Sequence, residues 1–218
     1  MSSYDLSRIF ILIVMFLLVC APVHECAHAF TAWRLGDGTA RMFGRVSLDP
    51  IKHFDPVGGT LLVASVVLSG GAMGFGWAKP TPVNPYNLRG RYADTLVAVA
   101  GPLSNLALAA LFAVGFRIMY AMGYWPDNTS AYNMLHLVFW VGVQLNVALM
   151  VFNLLPIPPL DGSHVLLDML DPKTAEGLRV FFAQYGVFLL LPVIFFAGPV
   201  ILSIMNPIVS ALIGLPVG

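Results

Sequence analysis

The sequence predicts an all-α polytopic membrane protein: about five to six transmembrane helices around a buried metal site, with a short β-like or re-entrant segment between the first spans. Three observations predict it. Of 218 residues, 58% are apolar and 10% charged, whereas an ordinary soluble domain carries about 25% charged residues; lipid must cover much of the outside. No Lys or Arg occurs between Arg117 and Lys173, and the apolar runs approach or exceed the roughly 20 residues needed to cross a bilayer. Within the first of those runs stands Val23-His24-Glu25-Cys26-Ala27-His28. Ionisable side chains in a lipid-spanning helix are expensive and mark function by default.

The composition also excludes. Net charge is zero and there is no basic run, so a nucleic-acid partner is not expected. Cys20 and Cys26 are six apart on one helix and point in different directions, which rules out a disulfide between them. Cys26 projects away from the His24 face and reads as packing. The N-terminal run does not read as a cleavable signal: Arg8 is balanced by Asp5, and no small-x-small site precedes the histidines. One membrane domain over residues 1–218 is expected.

Taken in order, residues 7–34 form the first span, ending at the interface-type pair Trp33-Arg34. Pro22 removes a backbone hydrogen bond and predicts a kink just before His24. Arg34 lies ten residues beyond His24, which puts that imidazole roughly 15 Å below the surface. Residues 36–56 are the most polar stretch, and the alternation over 39–48 predicts a strand or hairpin. Residues 57–76 are apolar but glycine-rich, either a full span or a hairpin that dips in and out. Trp77 to Pro85 holds three prolines and must be extended.

A long span follows over 92–120, then a short polar loop over 125–130 and another span over 132–155. That span runs into Asn153-Leu154-Leu155-Pro156-Ile157-Pro158-Pro159-Leu160-Asp161-Gly162. Backbone broken at membrane depth is tolerated only when buried in protein or lining a cavity. Residues 162–177 read as short and amphipathic, and 178–197 and 199–215 as two last spans divided at Gly198-Pro199. Basic residues gather over 34–91, and the 121–131 loop has none. The positive-inside rule therefore puts the N-terminus outside and the loops near the histidines in the cytoplasm. A full span at 57–76, with basic residues on both flanks, conflicts with that rule.

His24 and His28 are four apart and share one helix face. Two neutral imidazoles at that spacing, with a Glu after the first, match the zinc-hydrolase pattern H-E-x-x-H. A catalytic zinc takes three protein ligands and keeps one position open. Glu25 projects about 100° away from His24, which suits a general base better than a third ligand. Among the acids, Asp161 alone follows a proline-broken apolar segment able to carry it inward, so it is the expected third ligand. His53 lies in the polar loop, His136 near the far end of a span, and His164 follows Asp161 by three. Asn153 and Asn105 are costly to bury without partners. Either can donate to a developing oxyanion or tie helices together; the reading favours helix contact for Asn105 and function for Asn153.

His24-Glu25-Cys26-Ala27-His28, Gly101-Pro102-Leu103-Ser104-Asn105 and the Asn153 to Gly162 stretch together resemble the site-2 protease family of intramembrane zinc metalloproteases. Its patterns H-E-x-x-H, G-P-x-x-N and N-x-x-P-x-P-x-L-D-G all occur here in order. The resemblance implies Zn2+ on His24, His28 and Asp161, Glu25 as general base, and Asn153 as a residue that helps bind substrate or the oxyanion. It implies cleavage in or near transmembrane segments of single-span or polytopic membrane proteins, in a plasma or inner membrane, with the active site toward the cytoplasm. The chain resembles the small form without PDZ or CBS domains. Trp77 to Leu88 reads equally as an edge that an unwound substrate joins and as a rigid connector.

Rival mechanisms fare worse. No G-x-S-G stretch offers a serine nucleophile, and Asp161 has no membrane aspartate to pair with. The alternative from another class is a metal-ion transporter or channel using the same His and Asp residues.

Overall fold

Every regular element of the computed structural model is helical; it describes residues 3–71, 74–123 and 131–217. The loop expected over 125–130 lies outside them. The first span is α1 (Ser3–Met15), a π-turn (Phe16–Cys20) and α2 (Ala21–Arg34), running as one apolar helix over Asp5–Arg34. The disturbance expected at Pro22 takes the form of this widened turn, in which Ala21 N–H reaches back to Phe16 O. A π-turn absorbs the carbonyl that a proline ring displaces, so the chain stays helical into His24.

Between the first span and the next long helix there is no strand among the described residues, contrary to the β-like segment expected over 39–48. Residues 39–53 hold two single-turn helices, α3 (Thr39–Met42) and α4 (Pro50–His53). The reason is local: Asp37 Oδ1 accepts from Thr39 N and Thr39 Oγ1, Asp49 caps α4, and Gly44 takes φ +67°. Side-chain bonds to nearby amides offer the backbone a turn in place of a ladder.

α5 (Pro56–Leu68) is capped by Asp55 at Val57 N and Gly58 N. It is 13 residues long, about 20 Å, short of the roughly 30 Å hydrocarbon core. The chain then turns and comes back extended beside it. Phe75 N donates to Ser65 Oγ at 2.8 Å, and Lys79 N donates to His53 O at 2.8 Å. Gly58 and Gly76 make the return possible, since a Cβ on either would collide with the backbone of the other limb. Both ends of this hairpin therefore lie together.

α6 (Ala93–Ala121) and α7 (Ala131–Asn153) pair closely, with Gly115 against the Phe139 ring and Gly142 against Phe112, the small-residue contact that lets apolar helices approach. Ala109, Phe116, Val143, Val147 and Val209 form the main core between these two helices and α10 (Gly198–Ile213). Smaller clusters seat α1 against α5 through Ile9, Leu62 and Val66, and against α7 through Ile11, Leu137 and Val141.

α8 (Gly162–Met169) leads into α9 (Pro172–Phe196), which bends by 70° between Gly186 and Phe188. Pro192 lies four residues past Phe188, whose carbonyl its ring displaces. By length and apolarity three helices among the described residues can cross a membrane, Asp5–Arg34, Ala93–Ala121 and Met134–Asn153, or four with bent α9. The expected five to six are not reached among the described residues, because α5 and α10 are shorter than a span.

Candidate metal centre

His24 and His28 lie on the face of α2 that packs against α6, and both are buried. The close approach depends on Gly101 of α6: a Cβ there would run into both imidazole rings. Asp161 comes from the segment between α7 and α8. After Asn153 the chain leaves α7 and folds back, and a Cβ at Gly162 would strike the backbone of Leu154 and Leu155, so the turn needs glycine at that point. Asp161 stands at the N-cap of α8, where an aspartate usually accepts from the first amides. Its side chain makes no such bond and faces the histidines instead.

Three donor atoms converge. His24 Nε2 and His28 Nε2 are 3.0 Å apart, and Asp161 Oδ2 is 3.2 Å from the first and 3.4 Å from the second. Around a tetrahedral zinc with donors about 2.0–2.1 Å away, donor-to-donor edges are about 3.3 Å.

The proton positions follow from a chain of hydrogen bonds that ends on a backbone carbonyl. Asn146 Nδ2 donates to Gly142 O at 2.8 Å, which fixes the orientation of that amide. Its Oδ1 then accepts from Asn105 Nδ2 at 2.9 Å. Asn105 Oδ1 is left facing His24 Nδ1 at 2.6 Å, so Nδ1 carries the proton. His28 Nδ1 faces Val97 O at 2.7 Å and carries a proton for the same reason. In the neutral ring with its proton on Nδ1, each Nε2 lone pair faces the other imidazole and a carboxylate oxygen, and buried Asp161 Oδ2 has no hydrogen-bond partner. Two imidazole nitrogens and one carboxylate oxygen within 3.4 Å of one another are a donor set that zinc takes. The residues fit the ion.

Glu25 points off this triangle toward the extended segment after α5. Thr81 N and Thr81 Oγ1 both donate to its Oε2, at 2.8 and 2.7 Å. A cavity of about 680 Å³ lies over the triangle, within the roughly 300–1,000 Å³ usual for ligand sites. His24, Glu25, His28, Asn153 and Asp161 all line it. Asn153 spends one N–H on Leu149 O, at 3.0 Å.

The other polar residues separate into roles. Asn105, expected as a helix contact, joins α6 to α7 through Asn146 and also holds His24. Asn146 was missed; the signal was a second asparagine within an apolar run. His164 Nδ1 is 3.0 Å from Asp94 Oδ2 on the cavity rim. The Asp94 carboxylate beside it, with partial burial working against it, leaves the imidazole above its ordinary range. Thr95 N and Oγ1 donate to Asp168 Oδ2 at 3.2 and 2.7 Å, so two polar pairs fasten α8 to the start of α6. His53 is buried and bonded through Nε2 to Ser47 O. His136 packs on Phe116; neither is in the group formed by His24, His28 and Asp161. Cys20 and Cys26 are both free.

The profile of peptidase family M50 matches residues 116–193. The chain is 38% identical over 205 residues to a Bacillus subtilis protein named "Putative zinc metalloprotease YwhC", covering 91% of this chain and 86% of that one. It is 34% identical to proteins named "Putative zinc metalloprotease Rip2" from Mycolicibacterium smegmatis and Mycobacterium tuberculosis. Those matches cover 78% of this chain and 61% of each relative. No solved structure matches. Similarity along nearly the whole of the Bacillus protein, together with the family profile, shows that the chain belongs to peptidase family M50, the site-2 proteases.

Proposed function

We propose that this protein is an intramembrane zinc metallopeptidase that hydrolyses peptide bonds in or near the transmembrane segments of other membrane proteins. The observation that carries the reading is the triangle of His24 Nε2, His28 Nε2 and Asp161 Oδ2, with a carboxylate beside it on the same cavity wall. His24, His28 and Asp161 hold the ion, which supplies Lewis-acid polarisation and lowers the pKa of water at the site. Glu25 takes one proton from the attacking water as its oxygen bonds to the scissile carbonyl carbon. It then delivers that proton to the amide nitrogen as the carbon–nitrogen bond breaks. Asn153 keeps one amide N–H after bonding Leu149 O, and that N–H is available to the oxyanion.

The hairpin of α5 and its extended return reads as re-entrant, since it is too short to cross and both its ends meet. On that reading Arg34, Arg41, Arg45, Lys52, Lys79, Arg89 and Arg91 all belong to one end of the molecule, which the positive-inside rule assigns to the cytoplasm. The conflict that a full span created is removed.

The test is Glu25→Gln in the purified protein against a panel of single-span membrane proteins. Zinc content stays at the wild-type level and cleavage falls below about 10⁻² of wild type, within the range that loss of a general base costs. Metal transport by the wild type with no proteolysis by it overturns the proposal.

A further inference from the structure

In Trp77-Ala78-Lys79-Pro80-Thr81-Pro82-Val83, prolines on either side of Thr81 fix the backbone and offer no N–H. The one amide hydrogen between them goes to Glu25 Oε2, 2.8 Å away, and the Thr81 hydroxyl goes to the same oxygen at 2.7 Å. Among the described residues no other donor reaches this carboxylate. The hydroxyl also lies 3.0 Å from Glu25 O, so Thr81 grips both the side chain and the backbone of its partner.

The segment is pinned on both sides of that grip. Upstream, Lys79 N donates to His53 O, and the buried Arg45 guanidinium donates to Lys52 O, Lys79 O and Pro80 O. Downstream, Asn84 N donates to the buried Asp37 carboxylate at 2.7 Å, and Asn87 Nδ2 to its other oxygen at 3.1 Å. A loop tied to one side chain at one point would hold little. A loop clamped at residues 79–80 and 84–87 makes Thr81 a fixed reference for a glutamate that the helix alone leaves free to change rotamer.

We infer that Thr81 is the positioning residue for Glu25: its two donors occupy Oε2 and leave Oε1 as the oxygen presented to water. The inference rests on the proposed role of Glu25 as general base. It assigns the proline-rich segment a task in the chemistry, beyond connecting two elements. Bonds to a charged acceptor are the stronger class of hydrogen bond, and small displacements of a catalytic group are costly in rate.

Thr81→Val keeps the β-branched shape and the backbone donor and removes only the hydroxyl. With a quenched-fluorescent Leu/Ala/Gly-rich single-span peptide in detergent micelles, kcat falls roughly 10- to 100-fold, while KM stays within about twofold and zinc content is unchanged. Thr81→Ser restores kcat to within about threefold of wild type. A Thr81→Val enzyme with wild-type kcat, a loss carried by KM alone, or a Thr81→Ser enzyme no better than Thr81→Val each overturns the inference. If Thr81→Val does not fold, infrared difference spectra of wild type minus Glu25→Gln decide. A carboxylate band displaced from that of a water-solvated glutamate supports the inference, and one coincident with it overturns it. A Glu25→Gln enzyme that still cuts the peptide overturns the base assignment itself. An inactive Glu25→Gln with an unimpaired Thr81→Val overturns the Thr81 inference alone.

Discussion

The two halves of the candidate metal centre are built in opposite ways. His24 and His28 stand on a regular helix, buried, with both ring protons held by partners on α6 and a fully buried amide relay behind one of them. Asp161 stands on irregular backbone, and its segment is held by polar pairs nearer the surface, Asp94 with His164 and Thr95 with Asp168. The helix half is preorganised by packing, which resists displacement. The carboxylate half is fastened in part by partly exposed polar contacts, which are individually weak.

The comparison breaks most completely at Asp161. Asp161→Asn removes the anion between two lone pairs, and zinc content in the purified protein is expected to fall to background while the helical circular dichroism is retained. Retention of full zinc would show that the two imidazoles suffice.

Asn105→Ala tests the rigid half. It frees His24 to rotate and to change tautomer, so zinc affinity measured by competition with a chelator should drop roughly 10- to 100-fold, the usual cost of losing a ligand's supporting hydrogen bond. Because Asn146 then loses its partner too, Asn146→Ala should show a smaller loss in the same direction. Equal losses would mean the relay acts through helix packing and not through His24.

The smallest effect concerns the carboxylate half. The His164 imidazole lies above its usual range because Asp94 accepts from it. A group raised on folding contributes stability that is complete below its unfolded pKa and is lost as pH rises through the folded one. Protection of α8 amides against hydrogen exchange should therefore weaken as pH increases above neutrality, and Asp94→Asn should abolish the pH dependence. The ring is half exposed, so solvent screening keeps the effect small.

Parts of this were legible in the residues and parts were not. The pair of histidines, the extended proline segments and the broken stretch before Asp161 are all local patterns, readable from spacing and from the missing proline N–H. The strand expected over 39–48 failed because alternation says which side chains match, not whether a partner strand exists, and Asp37, Gly44 and Asp49 had already committed the backbone to turns. The count of spans among the described residues is lower than expected for a related reason. Apolar composition sets what can be buried, whereas helix length, cut here by Ser69 to Gly71 and by the chain's return beside α5, sets what can cross.

By itself the sequence determined a helical, lipid-covered chain with His24 and His28 on one helix face, since a residue's neighbours three and four positions away are dictated by helical geometry alone. Only the tertiary structure decided that Asp161 closes the triangle, that Asn146 stands behind Asn105 and His24, and that Thr81 holds Glu25. Those contacts join residues as far as 81 apart among the hydrogen bonds named, and a residue's own spacing carries no information about which distant surface will be packed against it. Burial supplies that information. Once α2, α6 and α7 are packed, an unpaired donor or acceptor between them has no water to turn to, and each must end on the partner the fold has brought near.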